Sequence, residues 1–272
     1  NLKRKTESDT ENCSGLTKFT LKLYIMMTPF IAEFMGTAIL LLLGAGVVAN
    51  VNLKNTIAEG QTSWVLITSA WGFAVFVGAY ATGQFSGAHL NPAVTVGLAV
   101  IGKFSWSLVP TYIFAQLLGA MFGSWVSYIL YIDHYRATTD EDAVRSTFCT
   151  GPAIRNYKNN FFSEFLGTFM LVFGIFFIVS PNIEIKGVQM QNFGIGSLDA
   201  LPVAILVWVI GMSLGGTTGY AINPTRDFGP RLVYQMLPRK NKNADWSYAW
   251  IPVIAPLIGA VAAGLLYNVL IG

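Results

Sequence analysis

Two asparagines, Asn91 and Asn223, have the surroundings most suggestive of chemistry in this chain. Each precedes a proline and stands four residues after a glycine: Gly87-Ala88-His89-Leu90-Asn91-Pro92-Ala93 in one copy, Gly219-Tyr220-Ala221-Ile222-Asn223-Pro224-Thr225 in the other. Asparagine is a good helix N-cap, and proline suits the first helical position because its missing N–H would be unpaired there. Each copy therefore predicts a loop feeding the start of a short helix. A helix N-terminus concentrates positive potential, and an asparagine there can turn an amide N–H outward. A water or hydroxyl oxygen accepting from two such amides has its own hydrogens directed away on both sides. That orientation breaks a proton wire, and the helix ends repel cations. One Asn-Pro would be an ordinary capped helix. Two in so apolar a chain need a joint explanation.

Other groups could join them. Arg226 lies three residues after Asn223 on the same short helix. An arginine in apolar surroundings is costly and usually functional; the plainer reading is an interfacial side chain that snorkels. Asp227 follows it, as an ion-pair partner or a brace between loop and helix ends. Glu33 and Glu164 sit at matching places in the two halves. As proton relays they would imply a coupled transporter; as acceptors for loop N–H groups they would be structural, and their symmetry favours the second role. His89 is either lumen-lining or a satisfied core histidine, since a lone histidine makes no convincing metal site. The chain shows no nucleophile triad, phosphate loop or metal-ligand set, so neither an enzyme nor a cofactor is expected.

The elements that must position these groups are membrane spans. Of 272 residues 53% are hydrophobic and only 11% charged, with a mean hydropathy of +0.53. Soluble domains carry about 25% charge, so the composition predicts an integral membrane protein. The scattered net charge of +3 gives no reason to expect nucleic-acid binding. Cys13 and Cys149 fit no metal spacing, and the expected topology puts them on opposite sides. Residues 1–17 read as a disordered polar tail with no apolar core, hence no cleavable signal peptide.

Six stretches reach the roughly 20 residues needed to cross ~30 Å of hydrocarbon: about 26–50, 62–82, 106–132, 160–180, 200–217 and 248–271. The two Asn-Pro helices hold about ten apolar residues each, or ~15 Å. End to end they would cover one membrane thickness. The runs Gly83–Leu90 and Gly216–Ile222 are expected to be irregular, their carbonyls forming an acceptor ladder. Such backbone survives at membrane depth only where it is buried in protein or lines a wet cavity.

The chain also repeats itself. Ala32-Glu33-Phe34-Met35-Gly36-Thr37 matches Ser163-Glu164-Phe165-Leu166-Gly167-Thr168, Asn91-Pro92 matches Asn223-Pro224, and Gln116-Leu117-Leu118-Gly119-Ala120 resembles Pro256-Leu257-Ile258-Gly259-Ala260. Each half holds three full spans and one half-span. Three is odd, so the second half must lie inverted, and the half-helix N-termini then converge near the midplane. Inverted repeats with broken helices are a transport architecture. The expected organisation is a polar tail over 1–25, a first repeat over 26–132, an extracellular connection over 133–158 and an inverted repeat over 159–272. Lys3, Arg4, Lys5, Lys18 and Lys22 favour cytoplasmic termini. The full Lys and Arg count runs the other way, with several outer cations in the long 133–158 loop, where the rule is weak.

With these motifs in place, residues 26–271 resemble the aquaporin superfamily, or major intrinsic proteins, and within it the glycerol facilitator branch. The branch markers are Asp227 after Arg226, Arg231 four further on, and Pro252-Val253 in the last span. The resemblance implies an all-α membrane protein: six transmembrane helices and two re-entrant half-helices in a right-handed bundle, assembled as a homotetramer in the plasma membrane. It implies a passive channel for glycerol, water and small uncharged polyols. It also implies a four-residue filter at Trp71, Gly211, Tyr220 and Arg226, with a histidine-to-glycine change opening the pore at Gly211. The sequence departs from the family pattern at Thr225, where alanine is usual, and at Tyr220, where phenylalanine is usual. A water-selective channel, a proton-coupled transporter using Glu33 and Glu164, and a junction protein with a vestigial pore are the competing readings.

Overall fold

A computed structural model gives the fold over residues 27–179 and 195–271, with the backbone of 183–185 and 188–190. The tail over 1–25 and Cys13 lie outside these residues. Helix α1 runs Pro29–Asn52, α2 Trp64–Ser86, α3 Pro92–Val100, α4 Val109–Leu130, α5 Ile132–Ala137, α6 Glu141–Ser146, α7 Tyr157–Phe176, α8 Leu201–Leu214, α9 Pro224–Met236 and α10 Ile251–Ile271. Among the described residues six helical segments are long and apolar enough to cross a membrane. They comprise α1, α2, α7 and α10, with α4 and α8 extended by 3₁₀ turns at Trp106–Leu108 and Gly196–Ala200. A short antiparallel hairpin, β1 Ile183–Ile185 and β2 Val188–Met190, stands between α7 and α8, where the apolar/polar alternation Ile-Glu-Ile suits a strand. The other regular elements among the described residues are all helices.

Local chemistry sets the boundaries. Thr28 caps α1 by accepting from the Ile31 N–H, ahead of Pro29 at the first position. Asn91 and Asn223 cap α3 and α9 in the same way. These two are the expected half-helices, about 14 and 20 Å long, against about 36 Å for α1. One boundary differs from expectation. Helix α2 continues through Gly83 to Ser86, so only 87–90 is irregular in the first loop. The helix stops where Gly87 adopts a left-handed φ of +81° and its N–H returns to Gly83 O at 2.8 Å. In the second half Gly219, at +78°, returns its N–H to Gly215 O, also at 2.8 Å.

Packing repeats the sequence symmetry. Helix α1 packs on α2 and α4 as α7 packs on α8 and α10. The repeats are also exchanged, since α4 packs on the second half-helix α9 and α10 on the first half-helix α3. Small residues permit the approach: a Cβ on Gly119 would strike the Phe34 carbonyl, and one on Gly123 that of Ala38. In the second repeat a Cβ on Gly259 would lie 2.5 Å from Phe165 O. These glycine stretches thus serve contacts within one chain. The 133–158 connection is more ordered than its polar composition suggests. Asp140 caps α6 by accepting from Asp142 and Ala143 N–H groups, and Tyr135, Val144 and Phe148 bury with Tyr234 and Leu237 in a satellite core.

Gly123→Ala should destabilise the fold by about 1–3 kcal/mol through overpacking. Gly46→Ala, on the same bundle with no atom within 4 Å of the new Cβ, should be neutral or better. Thermal unfolding of both variants in detergent compares them.

Candidate functional site

The site is built where the two capped loops meet. Asn91 Oδ1 accepts from the Ala93 N–H at 2.8 Å, and Asn91 Nδ2 donates to Ile222 O at 2.8 Å. Asn223 Oδ1 accepts from the N–H groups of Thr225 at 3.1 Å and Arg226 at 3.2 Å, and Asn223 Nδ2 donates to Leu90 O at 2.8 Å. Each amide thus ties its own helix start to the opposite loop. One N–H of each remains beyond these bonds, and both asparagines line the main cavity. The Thr225 hydroxyl, a departure from the usual alanine, also donates to Asn223 Oδ1 at 3.0 Å. The box is therefore tightened rather than lost.

The loops hold unusual backbone. Ala88 and Leu90 have φ of +47° and +51°; Tyr220 and Ile222, their counterparts, have +38° and +43°. Non-glycine residues there cost on the order of 1–3 kcal/mol each. The two glutamates offset that cost. Glu33 accepts from the N–H groups of His89 at 2.9 Å and Leu90 at 2.8 Å, and from Ser86 Oγ at 2.7 Å and Gln116 Nε2 at 2.8 Å. Glu164 accepts from Ala221 and Ile222 N–H groups, both at 2.9 Å, and from Thr218 Oγ1 at 2.7 Å. Both side chains are fully enclosed. Gln116 has no partner of its kind in the second half, where Pro256 stands.

A cavity of about 690 Å³ leads to this junction from the side of Gly83 and Gly196. Its lining combines apolar side chains, among them Leu40, Val75, Leu171 and Val207, with the strip Gly87, Ala88, His89 and Leu90. His89 both lines the cavity and is satisfied, with Nδ1 3.1 Å from Thr95 Oγ1 and its ring against Phe104 and Tyr112. Ser197 and Asp199 of the 3₁₀ turn also line the cavity. Nothing in the sequence marked them, because their position depends on how the turn folds back against α2.

Trp71 and Arg226 meet, as do Gly211 and Tyr220, apart from the residues that line this cavity. The Arg226 guanidinium carbon lies 3.8 Å from the Trp71 ring centroid, a cation–π contact with no space between. Tyr220 covers Gly211 so closely that a Cβ there would meet its Cζ at 2.7 Å. The Tyr220 hydroxyl is buried with no hydrogen-bond partner among the described residues. Trp64 was not singled out from sequence, although it stands seven residues before Trp71 on α2. Its indole N–H donates to Gly211 O at 3.0 Å and its ring meets Tyr220 edge-on at 5.8 Å.

Asp227 does not reach the cavity. It is fully buried, as is Arg231, and the two pair at 2.8 Å. Asp227 also accepts from the Thr150 N–H and hydroxyl, both at 2.7 Å, while Arg231 donates to Thr150 O at 2.9 Å. A buried pair is tolerable only when its remaining groups are bonded in this way. Here the bonds fasten the long connection to the start of α9.

Fold and site together define a multi-pass membrane protein in which two half-helices of an inverted repeat face each other across asparagine caps. Residues 21–267 match the family model described as Major intrinsic protein, and the chain belongs to that family. It is 49% identical over 244 residues to the probable glycerol uptake facilitator protein of Thermotoga maritima, covering 89% of this chain and 99% of that one. It is 45% identical over 243 residues to the glycerol uptake facilitator protein of Bacillus subtilis, covering 89% and 84%. The solved structure of the aquaglyceroporin from Plasmodium falciparum matches with a TM-score of 0.74 at 34% identity, covering 90% of this chain and 96% of that one.

Replacing Glu33 or Glu164 by Gln sets an NH₂ group against converging N–H donors. Each change should cost about 1–3 kcal/mol, seen as a lower unfolding midpoint. Solute flux through the folded fraction should stay independent of pH; loss of a pH-dependent flux would instead mark a relay.

Proposed function

We propose that the protein is a passive channel for glycerol, water and other small uncharged polyols, closed to protons and ions. The observation that carries this reading is the pair of asparagine amides at the end of an amphipathic cavity. A linear polyol is itself two-sided: its carbon chain suits the apolar side chains and its hydroxyls suit the polar strip. At the junction a solute oxygen accepts the free N–H of Asn91 and of Asn223, so a water chain is oriented outward from that point and cannot relay a proton. The names of the relatives agree with glycerol as the solute.

Selectivity is assigned to Trp71, Gly211, Tyr220 and Arg226. Trp71 and Tyr220 supply apolar surface, Arg226 supplies donors, and the bare Gly211 makes room for Tyr220. With the guanidinium resting on Trp71, passage requires Arg226 to swing aside as the solute takes up its N–H groups. The proton-coupled alternative is disfavoured because the oxygens of Glu33 and Glu164 are occupied by fixed donors. The reading includes a division into repeats over 26–132 and 159–272 joined by an extracellular 133–158 connection. It also includes cytoplasmic termini, a plasma-membrane location and a homotetramer with one pore per chain.

Stopped-flow light scattering on proteoliposomes in a glycerol gradient, with an impermeant osmolyte for water flux, tests the reading. Glycerol should enter well above the rate of empty vesicles, in linear proportion to its gradient. Entry no faster than in empty vesicles would overturn it. A second measurement concerns the filter. Gly211→His alone would drive its side chain into Tyr220, so it is paired with Tyr220→Cys. The double variant should lose on the order of tenfold in glycerol flux while water flux persists; unchanged glycerol flux would show that these residues do not select.

A further inference from the structure

A second recess lies on the outside of the bundle, remote from the cavity. Helix α4 presents Leu118, Phe122, Trp125 and Tyr128 along one wall, and Met236 and Pro238 stand opposite at the end of α9. The groove holds about 520 Å³, and large apolar side chains lie open in it: Phe122 is 47% exposed, Trp125 49% and Met236 64%. From Leu118 to Tyr128 is ten residues of helix, or about 15 Å. That is half of the ~30 Å hydrocarbon core, so the groove has the length of one leaflet.

Its ends differ. Half-helix α9 runs outward from the junction, so Met236 and Pro238 mark the end nearer the membrane surface, where Trp125 and Tyr128 suit the interface. Two lysines follow at once. Lys242 Nζ donates to Leu237 O at 2.5 Å, which pins it to the rim of the groove, and Lys240 is exposed. Neither has an ion-pair partner among the described residues, whereas their neighbour Arg239 is committed to Glu141 at 2.7 Å. An apolar slot one leaflet long, with the Lys242 ammonium bonded at its rim and the exposed Lys240 two residues after Pro238, is complementary to a single amphiphile.

We propose that this groove is a binding site for an anionic glycerophospholipid, one acyl chain lying along α4 and the phosphate resting at Lys240 and Lys242. A second copy of the chain could cover the same apolar wall, but it would have to bring carboxylates to both lysines; a phospholipid carries its own anion.

The test uses the full chain in phosphatidylcholine vesicles doped with phosphatidylglycerol brominated on its acyl chains, with brominated phosphatidylcholine as the comparison. Tryptophan fluorescence is read in the unaltered protein and in Trp125→Phe, and the difference reports the groove. At equal mole fraction the anionic lipid should quench the Trp125 signal on the order of fivefold more effectively. Lys240→Gln with Lys242→Gln should remove that preference and leave glycerol flux unchanged. Equal quenching by the two lipids, or no quenching assignable to Trp125, would overturn the site. So would a disulfide between two copies carrying Phe122→Cys, which would place a second chain in the groove.

Discussion

Backbone that leaves the helix inside a membrane has no water to bond, and every N–H and C=O it exposes must be met by protein or by a wet lumen. Much of this fold answers that constraint at two places, Gly87–Leu90 and Gly219–Ile222. In each, three positive-φ residues among four turn a pair of N–H groups toward one buried carboxylate, Glu33 or Glu164. The carboxylates gain the donors that make their own burial tolerable, and the loops gain acceptors that hold a strained shape. Neither would be stable without the other. This mutual need is a structural reason for a glutamate at the same place in both repeats.

The same economy governs the asparagines. Each amide oxygen is spent on its own helix start and one amide N–H on the opposite loop. The side chains therefore cannot rotate, and the remaining N–H groups have a fixed direction. Further along α9 the Asp227–Arg231 pair sets the half-helix against the 133–158 connection through Thr150. Arg226 thus projects from the braced start of this helix, with its guanidinium against the Trp71 ring.

Much of this was legible in the chain. The starts of the two half-helices followed from Asn91-Pro92 and Asn223-Pro224, since capping is a matter of three or four neighbouring residues. The six spans followed from apolar run length, and the inversion from an odd number of spans between matching motifs. Where local rules were incomplete the reading shifted: Gly83 to Ser86 had the composition of a loop yet remains helical, because Gly87, not Gly83, is the residue that takes the left-handed turn. The 133–158 stretch looked polar, but its few apolar residues converge on Tyr234 and Leu237, which lie some hundred positions away.

The sequence alone, then, determined the elements, their symmetry and the residue types brought to the centre, because these depend on spacing along one chain. Which groups would meet depended on how the helices pack. That Asn91 bonds the carbonyl of Ile222 and Asn223 that of Leu90, and that Trp64 backs Tyr220 against Gly211, are outcomes of docking one repeat upside down against the other, while packing within the first repeat brings Gln116 to Glu33. Such contacts join groups more than fifty residues apart, and their geometry is fixed by helix packing, which no local pattern encodes.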